Sequence, residues 1–357
     1  MGNGRRKAGK AKEGDRRMEK TMVRKVEKKV KNDRLEVRTD LAMEERESFP
    51  GDGGEIPGVI LTEKERNGGI RLTEVEILDE RGAGRMRKPV GAYLTLEAPG
   101  LADGQSEQQE AAKELAGLIR KLLARHQIGE KERPRILVVG LGNPDATPDA
   151  LGPMVMERLP MTRHLVLTCG AEYDEEGEYP MISGISPGVM AKTGMETAEI
   201  IRGIVKETRP DAVLAVDALA ARSVRRLGVT IQLSDTGIHP GSGVGNHRNG
   251  MTMETLGVPV IGIGVPTVVD AATIVNDTME NFIRALESSD SLKGVGEVLR
   301  SYNAGEKYEF VKELISPHLN GMFVTPKDVD EMVHHISHTL SEAINMLFSA
   351  GSGRSEA

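Results

Sequence analysis

The sequence predicts an α/β fold with a mostly parallel sheet flanked by helices, and three observations carry that reading. Short segments that are apolar throughout, such as 136–139 (ILVV), 212–216 (AVLAV) and 258–263 (VPVIGI), read as strands buried on both faces. Between them lie stretches with apolar residues three and four apart, as at Met195, Ala198, Ile201 and Val205, which read as amphipathic helices. Strand and helix alternate along the chain, which places helices against a largely parallel sheet. Chemistry in such folds gathers in the loops at the carboxyl ends of the strands.

The elements follow in order. Residues 35–47 form a short segment, and 49–58 a Gly/Pro-rich linker. Residues 59–62 and 70–78 flank Asn67-Gly68-Gly69, a turn sequence that predicts an added β-hairpin. Residues 90–96 predict another strand, closed by Pro99-Gly100. Ser106 and Gln109 have capping-box spacing, ahead of a helix with Leu115, Leu118, Ile119 and Leu122 on one face. After the strand at 136–139 come a loop and a helix through Val155 and Leu159, then a strand at 165–167 (LVL). The helix containing Ile201 stops before Pro210. Strands are expected at 212–216, 229–233 and 258–263, with helices at 267–286 and 328–347. No internal repeat is present.

Composition narrows the function classes. The 357 residues are enough for one large domain or two ordinary ones, and the formal net charge is −7. Residues 1–31 hold thirteen Lys or Arg against four acidic residues, a surplus of +9 that leaves −16 on the remainder. This arm reads as a solvated extension, with folding onto the acidic body or contact with nucleic acid as alternatives. No Trp, five Phe and five Tyr leave no stacking platform for single-stranded nucleic acid. One cysteine, Cys169, excludes an internal disulfide and a multi-cysteine metal site, fits a reducing compartment, and reads as a buried, inert thiol. The most apolar stretch, 258–269, is broken by Gly262, Gly264 and Pro266 and is too short for a membrane span. A soluble, intracellular protein is expected.

Three loops carry candidate chemistry. The first, 140–149 (GLGNPDATPD), opens like a dinucleotide fingerprint, but Asp145 stands where the third glycine belongs, and a carboxylate beside a phosphate is unfavourable. It also resembles the loop of peptidyl-tRNA hydrolases, whose catalytic His follows soon after; here His164 lies well downstream and reads as a strand-edge residue. The second follows the strand at 212–216 and presents Asp217, as a helix cap or as a reactive carboxylate. Asp149 also lies just past a strand end, and two carboxylates converging at one sheet edge share a proton and activate water. The third, 235–248 (DTGIHPGSGVGNHR), is an exposed glycine-rich loop for a substrate, or simply a surface loop. His239 and His247 offer metal ligation as an alternative. His334, His335 and His338 read as a solvated helix face.

Several longer stretches resemble the germination proteases of endospore-forming bacteria: VRTDLAMEE (37–45), KPVGAYLTLEAPG (88–100), GLGNPDATPDALGP (140–153), ISPGVMAKTGMETAEII (185–201), AVDALAARS (215–223) and DTGIHPGSGVGNHRNGMTMETLGVPVIGIGVPTVVDA (235–271). They cover most of residues 35–275; the C-terminal third is less distinctive, and the segment before VRTDLA is longer and more basic than the family's short pro-segment. The resemblance implies an endopeptidase made as a self-processing zymogen in the spore core, without a cofactor, that assembles as a homotetramer. It further implies that the enzyme begins the degradation of small acid-soluble spore proteins during germination. A phosphorylase/hydrolase-like fold is implied, akin to hydrogenase maturation proteases, whose paired acidic positions correspond to Asp149 and Asp217. On this reading residues 1–40 are a pro-segment and 41–350 a single protease domain. Processing is expected between Asp40 and Leu41, an acidic residue before the bond and a large apolar one after it. Arg248 and Arg222 are candidate partners for the substrate acid, and Gly241 and Gly243 for its backbone. Two alternatives stay open: a metal-dependent peptidase using Asp149, Asp217 and His239, and a non-catalytic module that binds peptide or nucleic acid.

Overall fold

A computed structural model describes residues 40–47, 56–102, 105–128, 133–173, 180–239, 249–288 and 321–348. The expected α/β class is present. Nine strands form one sheet among these residues, ordered β1-β2-β3-β7-β8-β6-β4-β5 with β9 beside β8. They are β1 (Val59–Glu65), β2 (Arg71–Ile77), β3 (Gly91–Glu97), β4 (Arg135–Gly140), β5 (Met181–Ile185), β6 (Ala212–Ala221), β7 (Thr230–Ser234), β8 (Val260–Asp270) and β9 (Phe323–Val324). Pairing is parallel through β5-β4-β6-β8 and antiparallel through β8-β7-β3-β2-β1. The sheet is therefore mixed, and the hairpin expected around Asn67 is the outer part of a continuous antiparallel wing.

The helices are α1 (Ala42–Glu47), α2 (Glu80–Met86), α3 (Gln105–Arg125), α4 (Leu151–Met156), α5 (Arg163–Cys169), α6 (Met190–Thr193), α7 (Thr197–Thr208), α8 (Met253–Leu256), α9 (Ala271–Glu287) and α10 (Val329–Phe348). Period-2 alternation in the central strands divides the core between the faces. Ile136, Val138, Leu214 and Val216 pack with Leu115 and Ile119 of α3 and with Ile336 and Leu340 of α10. Leu137, Val139, Val213 and Ala215 face the other way, against Ala198, Ile201 and Val205 of α7. Both faces of β4 and β6 are thus covered, which is why they are apolar throughout. The compact unit holding the sheet consists of Arg38–Ile274 and Gly321–Ala357; from Val275 onward α9 belongs to a second unit. Among the described residues no helix is long and apolar enough to cross a membrane.

Two element assignments change. Residues 165–167 lie in helix α5, not a strand: Thr162 and Val166 are buried four residues apart while Leu167 is exposed, a helical period hidden in a three-residue apolar run. The strand at that place is β5, whose Ser183 and Gly184 mask it in the sequence. Helix α3 begins at Gln105, so Ser106 lies inside its first turn and is not its cap.

Candidate active site

The loop after β4 folds back on itself through one glycine. Gly142 has φ +116°, and a Cβ there would lie 1.9 Å from the backbone oxygen of Asp149. That closeness lets the Asn143 N–H donate both to the Asp149 carbonyl at 3.0 Å and to its carboxylate Oδ2 at 2.9 Å. Asp149 ends a 3-10 turn, Thr147–Asp149. The turn is anchored from β8: Thr267 Oγ1 donates to the Pro148 carbonyl at 2.7 Å. Thr267 is the extra residue where the β6–β8 register slips between Leu219 and Ala220, a bulge that turns its hydroxyl to the loop. Pro266, which has no N–H for the ladder, is tolerated beside it.

Asp217 is not at a strand end. β6 continues to Ala221, with Asp217 opposite Gly264 of β8. The helix-cap reading is therefore overturned; the small residues Ala218, Ala220 and Ala221 extend the strand along the unusually long β8. Asp217 is 5% exposed, and its Oδ1 accepts the N–H of Ala218 at 3.0 Å. Leu141 donates its N–H to the Val216 carbonyl at 2.8 Å, so the Asp149 loop leaves β4 next to the residue before Asp217. Asp217 thus lies within β6 just beyond the level at which β4 ends, and Asp149 lies in the loop that leaves β4 there.

Cross-strand register sets a row over the face that bears Asp217. Gln232 of β7 lies opposite Gly264, and Gly264 lies opposite Asp217, so the side chains of Gln232 and Asp217 share that face with a glycine between them. A Cβ on Gly264 would come within 2.3 Å of the Leu219 side chain. Residues 40–44 are seated on the same face. The N–H of Asp40 donates to the Ala220 carbonyl at 3.1 Å, and its carboxylate Oδ2 accepts the Ala220 N–H at 3.0 Å. The Asp40 carbonyl accepts from Lys88 Nζ at 2.8 Å and from Gln232 Nε2 at 3.1 Å. Leu41 is fully buried against Leu219, Ala221 and Val269. Glu44, 3% exposed, receives the backbone N–H groups of Arg222 at 2.8 Å and Ser223 at 3.0 Å.

A cleft beside this segment is walled by Lys88, Tyr93, Leu219, Gln232, Ser234 and His239. Partial burial holds the His239 imidazole below its ordinary pKa; the Lys88 ammonium acts in the same direction and the Asp40 carboxylate against both. The Tyr93 hydroxyl donates to the Pro89 carbonyl at 2.9 Å and meets Thr236 Oγ1 at 3.2 Å. Burial pushes this phenol up to about 12, the Thr236 hydrogen bond opposing the rise and Asp235 adding to it. Folding therefore favours the neutral phenol. That contribution is complete below the unfolded value near 10 and disappears as pH rises through 12, a loss of about 3 kcal/mol for two units. Urea unfolding at several alkaline pH values should show the wild-type chain losing about that much more stability than Tyr93→Phe. Parallel curves for the two would refute the assignment.

The other sequence-predicted residues are placed as follows. Arg222 offers its backbone N–H to Glu44, whereas the acid of Asp40 is received by Ala220. Arg248, Gly241, Gly243 and His247 lie outside the described residues, as do residues 1–39. His164 is exposed on α5, not at a strand edge. Cys169 is exposed at the end of α5, which corrects the buried-thiol expectation; the helix turns its last residues outward. His335 Nδ1 lies 2.6 Å from the Ala102 carbonyl, and His334 Nε2 lies 3.0 Å from an Arg158 nitrogen. Among the described residues no three His, Cys, Asp or Glu side chains gather as a metal requires. Sequence reasoning missed Lys88 and Gln232. The signal for Gln232 was a lone amide in the strand-like run 229–233 (VTIQL), where a buried polar group needs partners.

Comparison with known proteins identifies the family. A family model described as "Germination protease" (Peptidase_A25) matches residues 35–294. The "Germination protease" of Caldanaerobacter subterraneus subsp. tengcongensis is 47% identical over 319 residues, covering 89% of this chain and 95% of that protein. The protein of the same name from Clostridium tetani is 45% identical, with 87% and 95% covered, and that from Bacillus subtilis 40%, with 87% and 92% covered. Among solved structures, a [NiFe] hydrogenase maturation protease HycI from Thermococcus kodakarensis is 16% identical, covering 62% of this chain and 99% of that one, at a TM-score of 0.28. That score is too low to carry an argument about fold or site. Extended identity to named relatives and a family match over residues 35–294 are decisive: the chain belongs to the germination protease family, and it is a peptidase.

Proposed function

We propose that this chain is an aspartic-type endopeptidase, made as a zymogen, that cuts its own Asp40–Leu41 bond to shed the basic residues 1–40. The domain from residue 41 then begins the degradation of small acid-soluble spore proteins during germination, as a homotetramer in the spore core. One observation carries the proposal: residues 40–44 lie on the face of the sheet that bears Asp217, with each side chain of the Asp-Leu-x-x-Glu pattern received by a defined group. Asp149 and Asp217 supply the chemistry. One carboxylate takes a proton from water as it attacks the carbonyl, and the pair returns a proton to the leaving nitrogen. Two coupled carboxyls titrate as a unit, so the roles belong to the pair. The substrate follows from the pattern: an acid before the bond, a large apolar residue after it, and a second acid three residues further on.

The test incubates the full-length chain alone and with a purified small acid-soluble spore protein. The expected result is a shortened chain whose N-terminal sequence starts at Leu41, together with fragments of the spore protein cut after acidic residues. An intact spore protein, or a shortened chain starting elsewhere, would overturn the corresponding part of the reading.

A further inference from the structure

Two side chains with no role in the chemistry described above converge on a single atom. The carbonyl oxygen of Asp40 accepts from Lys88 Nζ at 2.8 Å and from Gln232 Nε2 at 3.1 Å. The other end of the same amide, Gln232 Oε1, accepts the N–H of Ala42 at 2.6 Å. Ala42 has only a donor to offer there, so the oxygen must face it and the NH₂ group must face Asp40. Gln232 therefore brackets the Asp40–Leu41 peptide, gripping the residue before the bond and the second residue after it.

A structural role explains part of this arrangement. Ala42 opens α1, and its N–H is one of the donors that a helix start leaves unsatisfied. Gln232 Oε1 meets that need, but the need accounts for neither Nε2 nor Lys88. A peptide carbonyl has two acceptor positions, and here both are filled by side chains, one of them a cation. Two donors, one of them cationic, suit an oxygen on which negative charge develops. At 2.8 and 3.1 Å from the resting carbonyl oxygen, both donors are within hydrogen-bond reach of the atom on which the oxyanion forms. Gln232 also stands on the sheet face that bears Asp217, in the same cross-strand row across Gly264.

We propose that Lys88 and Gln232 are catalytic residues that bind the oxyanion formed on the residue before the cut. The proposal rests on the endopeptidase reading above and deepens it. Water adds its oxygen to the carbonyl carbon and gives one proton to the ionised aspartate. The carbonyl π pair moves onto the oxygen, where Lys88 and Gln232 receive it. Collapse restores the C=O and breaks the bond to the Leu41 nitrogen, which takes a proton from the carboxyl pair. One water is consumed, and a carboxyl at 40 and an amine at 41 are produced. The same two donors serve any substrate that enters in place of residues 40–44.

The test follows conversion of the full-length chain to the form beginning at Leu41. This is a first-order process in which the reacting segment is already seated, so a slower rate reports lost transition-state stabilisation and not weaker capture from solution. Lys88→Met sits at the half-buried rim and leaves the core untouched; Gln232→Leu is the second variant, and thermal unfolding by circular dichroism checks both. Each should convert about 10²-fold more slowly than wild type, the effect of removing one oxyanion donor. If folded Lys88→Met converts within about threefold of wild type while wild type converts normally, the donor assignment is wrong and the endopeptidase reading stands. If wild type itself neither converts nor cuts a spore protein, that reading falls and the donor assignment falls with it.

Discussion

Asp217→Asn and Asp149→Asn are each expected to lower peptide cleavage by about 10²–10⁴-fold, the range for loss of a general acid or base, without unfolding the chain. The amide can keep the backbone hydrogen bond described for each carboxylate. Asp217 Oδ1 accepts the N–H of Ala218, and an asparagine oxygen accepts the same bond. Asp149 Oδ2 accepts from the Asn143 N–H, which the amide oxygen again permits. What is lost is the ability to exchange a proton at that position. Rates on a purified small acid-soluble spore protein, with unfolding curves beside them, make the comparison. A folded variant at either position that retains near wild-type cleavage would eliminate the paired-carboxyl mechanism.

The second large effect is on stability. Gly142→Ala should cost about 2–4 kcal/mol and lower cleavage strongly, although residue 142 has no part in the chemistry. Its φ of +116° is hostile to a side chain, and the new Cβ would lie 1.9 Å from the Asp149 carbonyl oxygen, a backbone atom that yields only if the turn moves. Movement of that turn strips the Asn143 N–H of both its acceptors and displaces the Asp149 carboxylate. Gly188→Ala is the control: φ is +71°, yet nothing lies within 4 Å of the added Cβ, so it carries the conformational cost without the collision. Urea unfolding and cleavage rates should separate the two variants. Equal costs, with cleavage unaffected by Gly142→Ala, would show that the turn does not hold Asp149.

Much of this architecture was legible because it depends on local pattern. Residues 136–139 and 212–216 are apolar without interruption since both faces of those strands are covered, and the strands duly appear as β4 and β6. Asp217 was visible as a carboxylate directly after such a run, and Asp149 as one in the loop that follows the other. The remainder depended on partners distant in sequence. Asp217 marked an apparent strand end because a charged residue normally stops a buried strand; its N-terminal neighbours could not show that β8 carries the pairing on to Ala221. Met181–Ile185 was missed because a strand beside bulky Met156 and Met161 needs Gly184 there, and glycine reads as a break. Lys88 and Gln232 lie 144 residues apart, and only the sheet brings both to the carbonyl of Asp40.

The seat of Glu44 has a kinetic consequence. Its carboxylate is held by two backbone N–H groups, and Leu41 is fully buried, on the far side of the bond from residues 1–40. Cutting that bond severs the arm but leaves both anchors in place, covalently part of the domain. If processing occurs at that bond as proposed, the trimmed terminus becomes a tethered competitor for its own seat, at an effective concentration on the order of millimolar, as for groups joined by short linkers. A free substrate displaces it only by binding better than the millimolar range or by holding on at several points at once. On the proposed processing, long, extended chains are expected to compete better than short peptides, so that length as well as sequence would set the choice of substrate.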